Sequence, residues 1–90
     1  MFELGAPQIA VAQPTCDATA DALVAARPQR REVLFRNAGA VDCYVGNSDV
    51  TTATGLLLAA GESLTLAVTC AVYGVTASGT ATVHVLETYQ

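Results

Sequence analysis

A chain of 90 residues and 9.2 kDa has room for one small domain, and a domain of that size hides only about 60–65% of its unfolded surface, so it leans on a staple, a metal or partner subunits. Hydrophobic residues make up 52% and charged residues 13%, the reverse of the bias that keeps a chain disordered. Four Arg, no Lys and eight carboxylates give a net charge of −4 and a pI near 4.5, which argues against nucleic-acid binding driven by a basic, counterion-displacing surface.

The chain opens on an extended arm, residues 1–18, set apart from a β domain over 19–90. Pro7 and Pro14 bracket Gln8-Ile9-Ala10-Val11-Ala12-Gln13. Proline disfavours helix at the residue before it and gives a sheet no donor, so the bracketed piece reads as one short strand. Ile9 and Val11 share one side of it, and Phe2 and Leu4 add further apolar surface. Residues 15–19 are small and polar and read as a connector.

From Ala20 short strands alternate with turns. Residues 22–26 form a first candidate, ended by Pro28. Residues 30–37 follow with Arg31, Val33 and Phe35 on one face and Glu32, Leu34 and Arg36 on the other; Arg30 belongs with the outward set. Asn37-Ala38-Gly39-Ala40 reads as a turn whose Asn and Gly tolerate positive φ. In the next strand, 41–45, Val41, Cys43 and Val45 point inward. A short strand fits 56–58. Residues 62–70 alternate strictly, with Leu64, Leu66, Val68 and Cys70 inward. Residues 71–77 continue as a strand, and Ser78-Gly79 reads as a two-residue hairpin link into 80–88. There Ala81, Val83 and Val85 oppose Thr82, His84 and Leu86. The pattern predicts an all-β fold, a small antiparallel β-sandwich or jelly-roll-like barrel of six or seven short strands.

Residues able to carry chemistry are few. His84 is the only histidine, and alternation places it opposite the face to which Cys43 and Cys70 point, so no Cys–His dyad is expected. Cys16, Cys43 and Cys70 are odd in number and far apart in sequence. They read as reduced thiols serving as small hydrophobes, not as a disulfide framework or a zinc site. Asn47-x-Asp49-x-Thr51 has the alternating oxygens of a calcium loop, but Ala53 and Leu58 stand where further ligands belong, so a turn is the better reading. No enzyme activity, cofactor or metal is expected. The longest strongly apolar run, 56–60, is far short of the roughly 20 residues of a membrane span. Glu3 stands where a secretory signal carries positive charge, so synthesis in a cytoplasm is expected.

All four arginines fall between Arg27 and Arg36. Guanidinium forks grip carboxylates, so Arg30 and Arg36, outward beside Glu32, are expected to reach an acidic surface on another subunit. With Phe2, Leu4, Ile9 and Val11 they form the candidate partner interface. The arm is expected to add its strand to a neighbour's sheet edge.

Several pieces in order carry a family resemblance. Arg31-Glu32-Val33-Leu34-Phe35-Arg36-Asn37 ends a strand in Arg-x-Asn, and Cys43-Tyr44-Val45-Gly46 holds a Tyr-Val-Gly. Asp49-Val50-Thr51 precedes Gly55. Leu58-Ala59-Ala60-Gly61-Glu62-Ser63 forms a Leu-x-x-Gly-Glu-Ser turn. Val72-Tyr73-Gly74-Val75 and Ser78-Gly79-Thr80 lead into residues 83–87. This stretch, about two-thirds of the chain, resembles the small β-sandwich virion proteins of tailed bacteriophages. The resemblance implies a non-enzymatic structural protein of the virion, a capsid decoration or cement subunit acting as a homo-oligomer, a trimer, on the major capsid protein or another virion protein. A tail, baseplate or head-fibre component is the alternative within that class. A carbohydrate- or receptor-binding module is the alternative outside it, with Tyr44, Tyr73 and Tyr89 as the aromatic surfaces for sugar rings.

Overall fold

Apolar residues at every second position build strands with one buried face, and the computed structural model, which describes residues 8–90, places nine of them in two antiparallel sheets. In chain order they are β1 (Gln8–Ala12), β2 (Thr15–Cys16), β3 (Asp21–Val24), β4 (Arg30–Asn37), β5 (Cys43–Gly46), β6 (Leu56–Leu58), β7 (Ser63–Leu66), β8 (Val72–Val75) and β9 (Ala81–Tyr89). Sheet I runs β1-β9-β4-β7, with β2 beside the start of β9; sheet II runs β3-β8-β5-β6. The all-β sandwich expected from the alternation is present. Its strands number nine because β1 and the two-residue β2, from the segment read as arm and connector, pair as well.

The core lies between the sheets. Sheet I contributes Cys16, Val33, Phe35, Val83 and Val85, and sheet II contributes Leu23, Val24, Cys43, Val45, Leu58 and Val72. Leu64, Leu66 and Val68 pack against it half-buried. Among the described residues no helix is long and apolar enough to cross a membrane.

Three local expectations change. Ser78-Gly79 is not a hairpin link, because β8 lies in sheet II and β9 in sheet I and the two do not pair. Each strand must bury its own apolar face, and the segment between them carries the chain across the sandwich. Thr76, buried, donates its N–H to the Asp17 carbonyl at 2.7 Å and its hydroxyl to the Gly79 carbonyl at 2.8 Å. Gly79 takes φ = 76°, a left-handed value that a side chain would strain. Asn37 also begins a crossing between sheets, and it works through hydrogen bonds instead of positive φ. Its Nδ2 donates to the Val41 and Leu58 carbonyls at 2.9 and 3.0 Å, and its Oδ1 accepts the Gly39 N–H at 2.9 Å. Finally, the strand expected over 62–70 stops at Leu66, and Cys70 is exposed, not inward.

The segment read as an arm is, from Gln8 on, built into sheet I. β1 pairs antiparallel with β9 over its five residues, Gln8 opposite Tyr89 through Ala12 opposite Val85. The strand expected to pair with a neighbour therefore pairs with its own chain. Beyond Pro14, whose carbonyl accepts the Val83 N–H at 2.9 Å, the connector supplies β2 and sends Cys16 into the core.

Candidate functional site

The period of two that buries one face of sheet I leaves the other to solvent, and the registers decide what gathers there. Val11 stands opposite Leu86, and Leu86 opposite Leu34. One step toward the C-terminal end of β9, Ile9 and Glu32 both flank Thr88. One step the other way, Arg36 stands opposite His84. The outer face thus has an apolar centre, an acid at one end and a cation at the other. Ile9 is 63% exposed, Val11 70% and Leu34 36%. Val11, Leu34, Arg36, His84 and Leu86 line a shallow groove of about 480 Å³. Among the described residues, no strand covers the edge beside it. β1 is the outermost strand of sheet I, and residues 8–13 carry no charge to discourage another strand from pairing.

Of the interface candidates, Ile9, Val11 and Arg36 come together here; Phe2 and Leu4 lie outside the described residues. Arg30 does not join them. The register of β4 against β9 shifts between Arg30 and Glu32, an irregularity that inserts one residue and reverses the parity before it. Arg30 consequently turns inward and is 4% exposed. Its Nε donates to Glu87 Oε1 at 2.8 Å, its Nη1 donates to the Val68 and Cys70 carbonyls at 3.0 and 2.9 Å, and its Nη2 donates to the Ala25 carbonyl. Arg27 holds the same carboxylate from its outer side, Nε to Oε1 at 3.1 Å, and lies over the Tyr89 ring at 3.8 Å. Burial raises the Glu87 pKa, but hydrogen bonds and charge from Arg30 and Arg27 outweigh it and hold the carboxyl below its ordinary value. Two of the four clustered arginines therefore close one end of the sandwich through Glu87.

Leu34 and Leu86 complete the patch and were not among the interface candidates. Their signal was present in the alternation, which places two large apolar side chains on faces otherwise occupied by Glu32, Arg36, Thr82 and His84. A second juxtaposition had no such signal. Cys16 on β2 and Cys43 on β5, both fully buried, bring their sulfurs to 3.0 Å of each other across the two sheets.

The remaining candidates are dispersed. His84 is exposed on the outer face while Cys16 and Cys43 are buried between the sheets. The segment after β5 is a turn closed by the Val50 N–H on the Asn47 carbonyl at 3.0 Å, followed by a second held by Thr51 and Thr54. Among the described residues, no three His, Cys, Asp or Glu side chains converge in a way that could hold a metal ion. Tyr44 and Tyr73 are half-buried on the outward side of sheet II, and Tyr89 carries Arg27 on its ring.

No family model, curated protein or solved structure matches this chain.

The patch offers exposed apolar area flanked by two opposite charges. Its apolar centre favours burial, and Arg36 at one end against Glu32 at the other gives it a charge polarity along the sheet.

Proposed function

We propose that this protein is a non-enzymatic structural subunit of a tailed-phage virion, a capsid decoration or cement protein that binds and stabilises the head shell as a homotrimer. Two things support the reading: the resemblance of the run of motifs to small β-sandwich virion proteins, and the outer face of sheet I. That face is the observation that carries it. Ile9, Val11, Leu34 and Leu86 form a contiguous apolar surface, and surfaces of this kind rimmed by charge mark sites of protein association. The occupant is a neighbouring copy of the chain. The uncharged β1 edge borders the patch, so one copy can present an edge for strand addition and an apolar face together.

Light scattering of the purified protein tests the assembly. The expected mass is three times the 9.2 kDa of the chain. Leu34→Asp should reduce the mass to that of one chain while leaving the β-sheet circular dichroism unchanged. A wild-type protein that stays monomeric at high concentration overturns the reading of the face. Copy number per purified particle tests the location. Hundreds of copies place the protein on the head, and a dozen or fewer place it in the tail, baseplate or a head fibre.

A further inference from the structure

Cys16 and Cys43 lie 27 positions apart in sequence and on different sheets, yet their sulfurs are 3.0 Å apart. A disulfide bond is about 2.05 Å long, so about 1 Å of closure separates the two thiols from a covalent link. Gly74 on β8 makes the approach possible. A Cβ at that position would lie 3.1 Å from each sulfur and 2.8 Å from Leu23 Cδ1, so the missing side chain leaves the space the two thiols share. Cys70 does not compete for either. Its carbonyl is bound by Arg30, which stands opposite Tyr89 at the C-terminal end of β9, whereas Cys16 stands opposite Ala81 at the other end.

We propose that Cys16 and Cys43 form a reversible disulfide that staples sheet I to sheet II, made by exchange with a low-molecular-weight disulfide of the glutathione type. One cysteine thiolate attacks the small disulfide, forming a mixed disulfide and releasing one small thiolate. The thiolate of the other cysteine then attacks the protein sulfur of that mixed disulfide, forming the Cys16–Cys43 bond and releasing the second small thiolate. The two protons lost by the cysteines end on the two released thiols. Two protein thiols are oxidised and one small disulfide is reduced.

Burial, and then the neighbouring Cys43, push the Cys16 thiol well above its ordinary pKa, so the folded dithiol holds little of the attacking thiolate. Exchange therefore takes place during folding or on opening of the sandwich, and the native reduced protein resists it. In a reducing compartment the pair remains a dithiol, and in an oxidising one it closes. The inference does not depend on the assembly reading, since the staple lies inside a single sandwich.

The test refolds the denatured, reduced full chain in buffers of reduced and oxidised glutathione and then counts free thiols under denaturing conditions. One free thiol is expected after oxidative refolding and three after reductive refolding, with the oxidised chain lighter by two hydrogens. Cys70→Ser should change the count to none and two, which assigns the bond to Cys16 and Cys43. Closing this loop should raise the melting temperature on the order of 10–20 °C, and Cys16→Ser should abolish the redox-dependent rise. Cys16→Ser also buries a hydroxyl, which costs stability of its own, but the thiol count on the wild-type chain decides independently of that variant. Three free thiols at every redox ratio, or a bond that includes Cys70, would overturn the proposal.

Discussion

Arg30 donates four hydrogen bonds from a fully buried side chain, one to the Glu87 carboxylate and three to carbonyls of two different loops. Its role depends on the fork of the guanidinium, which a lysine ammonium does not reproduce. Arg30→Met leaves Glu87 buried without its inner partner, and chemical denaturation should show a loss of about 3–5 kcal/mol. Adding Glu87→Leu should recover much of that loss, though not all, because the Val68, Cys70 and Ala25 carbonyls still lack their donor. A double variant no better than the single one would mean that the ion pair matters less than the carbonyl clamp. Glu87 also sets an acid limit. Its folded pKa is depressed, so its contribution is fully present above the unfolded value of about 4.3 and is lost as pH falls through the folded one. Glu87→Gln should therefore flatten the fall in urea midpoint across the acid range below about pH 4.3. An unchanged acid slope would place the acid sensitivity in other carboxylates.

At the scale of elements, β1 contributes ladder hydrogen bonds and little core. None of its five residues is fully buried, whereas β4 and β9 send Val33, Phe35, Val83 and Val85 between the sheets. A chain beginning at Thr15 should keep its β-sheet circular dichroism, melt several degrees lower and lose self-association, since Ile9 and Val11 of the outer patch go with β1. Complete unfolding of that chain would show instead that β9 needs a partner on both sides to hold its register. The crossing between β8 and β9 depends on one backbone conformation. Gly79→Ala meets nothing closer than the Val41 side chain at 3.8 Å, so its cost is the left-handed φ alone, about 1–2 kcal/mol, measurable as a shift in denaturation midpoint at constant slope.

For the whole molecule, topology governs how the sandwich forms. Of the strand pairs, only β5 with β6 joins neighbours in sequence; β1 and β2 wait for β9, β3 waits for β8, and β4 sits between β7 and β9. Chain closure must be achieved before these pairings stabilise anything, which slows folding. Stopped-flow measurement on the reduced protein, with tyrosine fluorescence as the probe because the chain has no Trp, should give refolding in the millisecond-to-second range. Relaxation in microseconds would contradict a transition state that must assemble β9 against three partners.

The sequence by itself determined the class of fold, most strand positions and the buried face of each, because a period of two depends only on the local chain and on water leaving one side of it. Val33 and Phe35, Val83 and Val85, and Cys43 and Val45 are all buried as their alternation requires. The same rule exposed Leu34 and Leu86, so the centre of the outer patch was legible in the residues. Pairing was not. Ser78-Gly79 has the composition of a hairpin, yet the chain crosses between sheets there, because which strand lies beside which is settled by packing across the core and not by the two residues that join them. Arg30 lost its outward parity to one irregular residue in β4, and the carbonyls and carboxylate that receive it come from segments distant in sequence. Cys16 and Cys43 became neighbours only when β2 and β5 took opposing sheets, since contacts between layers are made by the folded shape and leave no periodic trace in the chain.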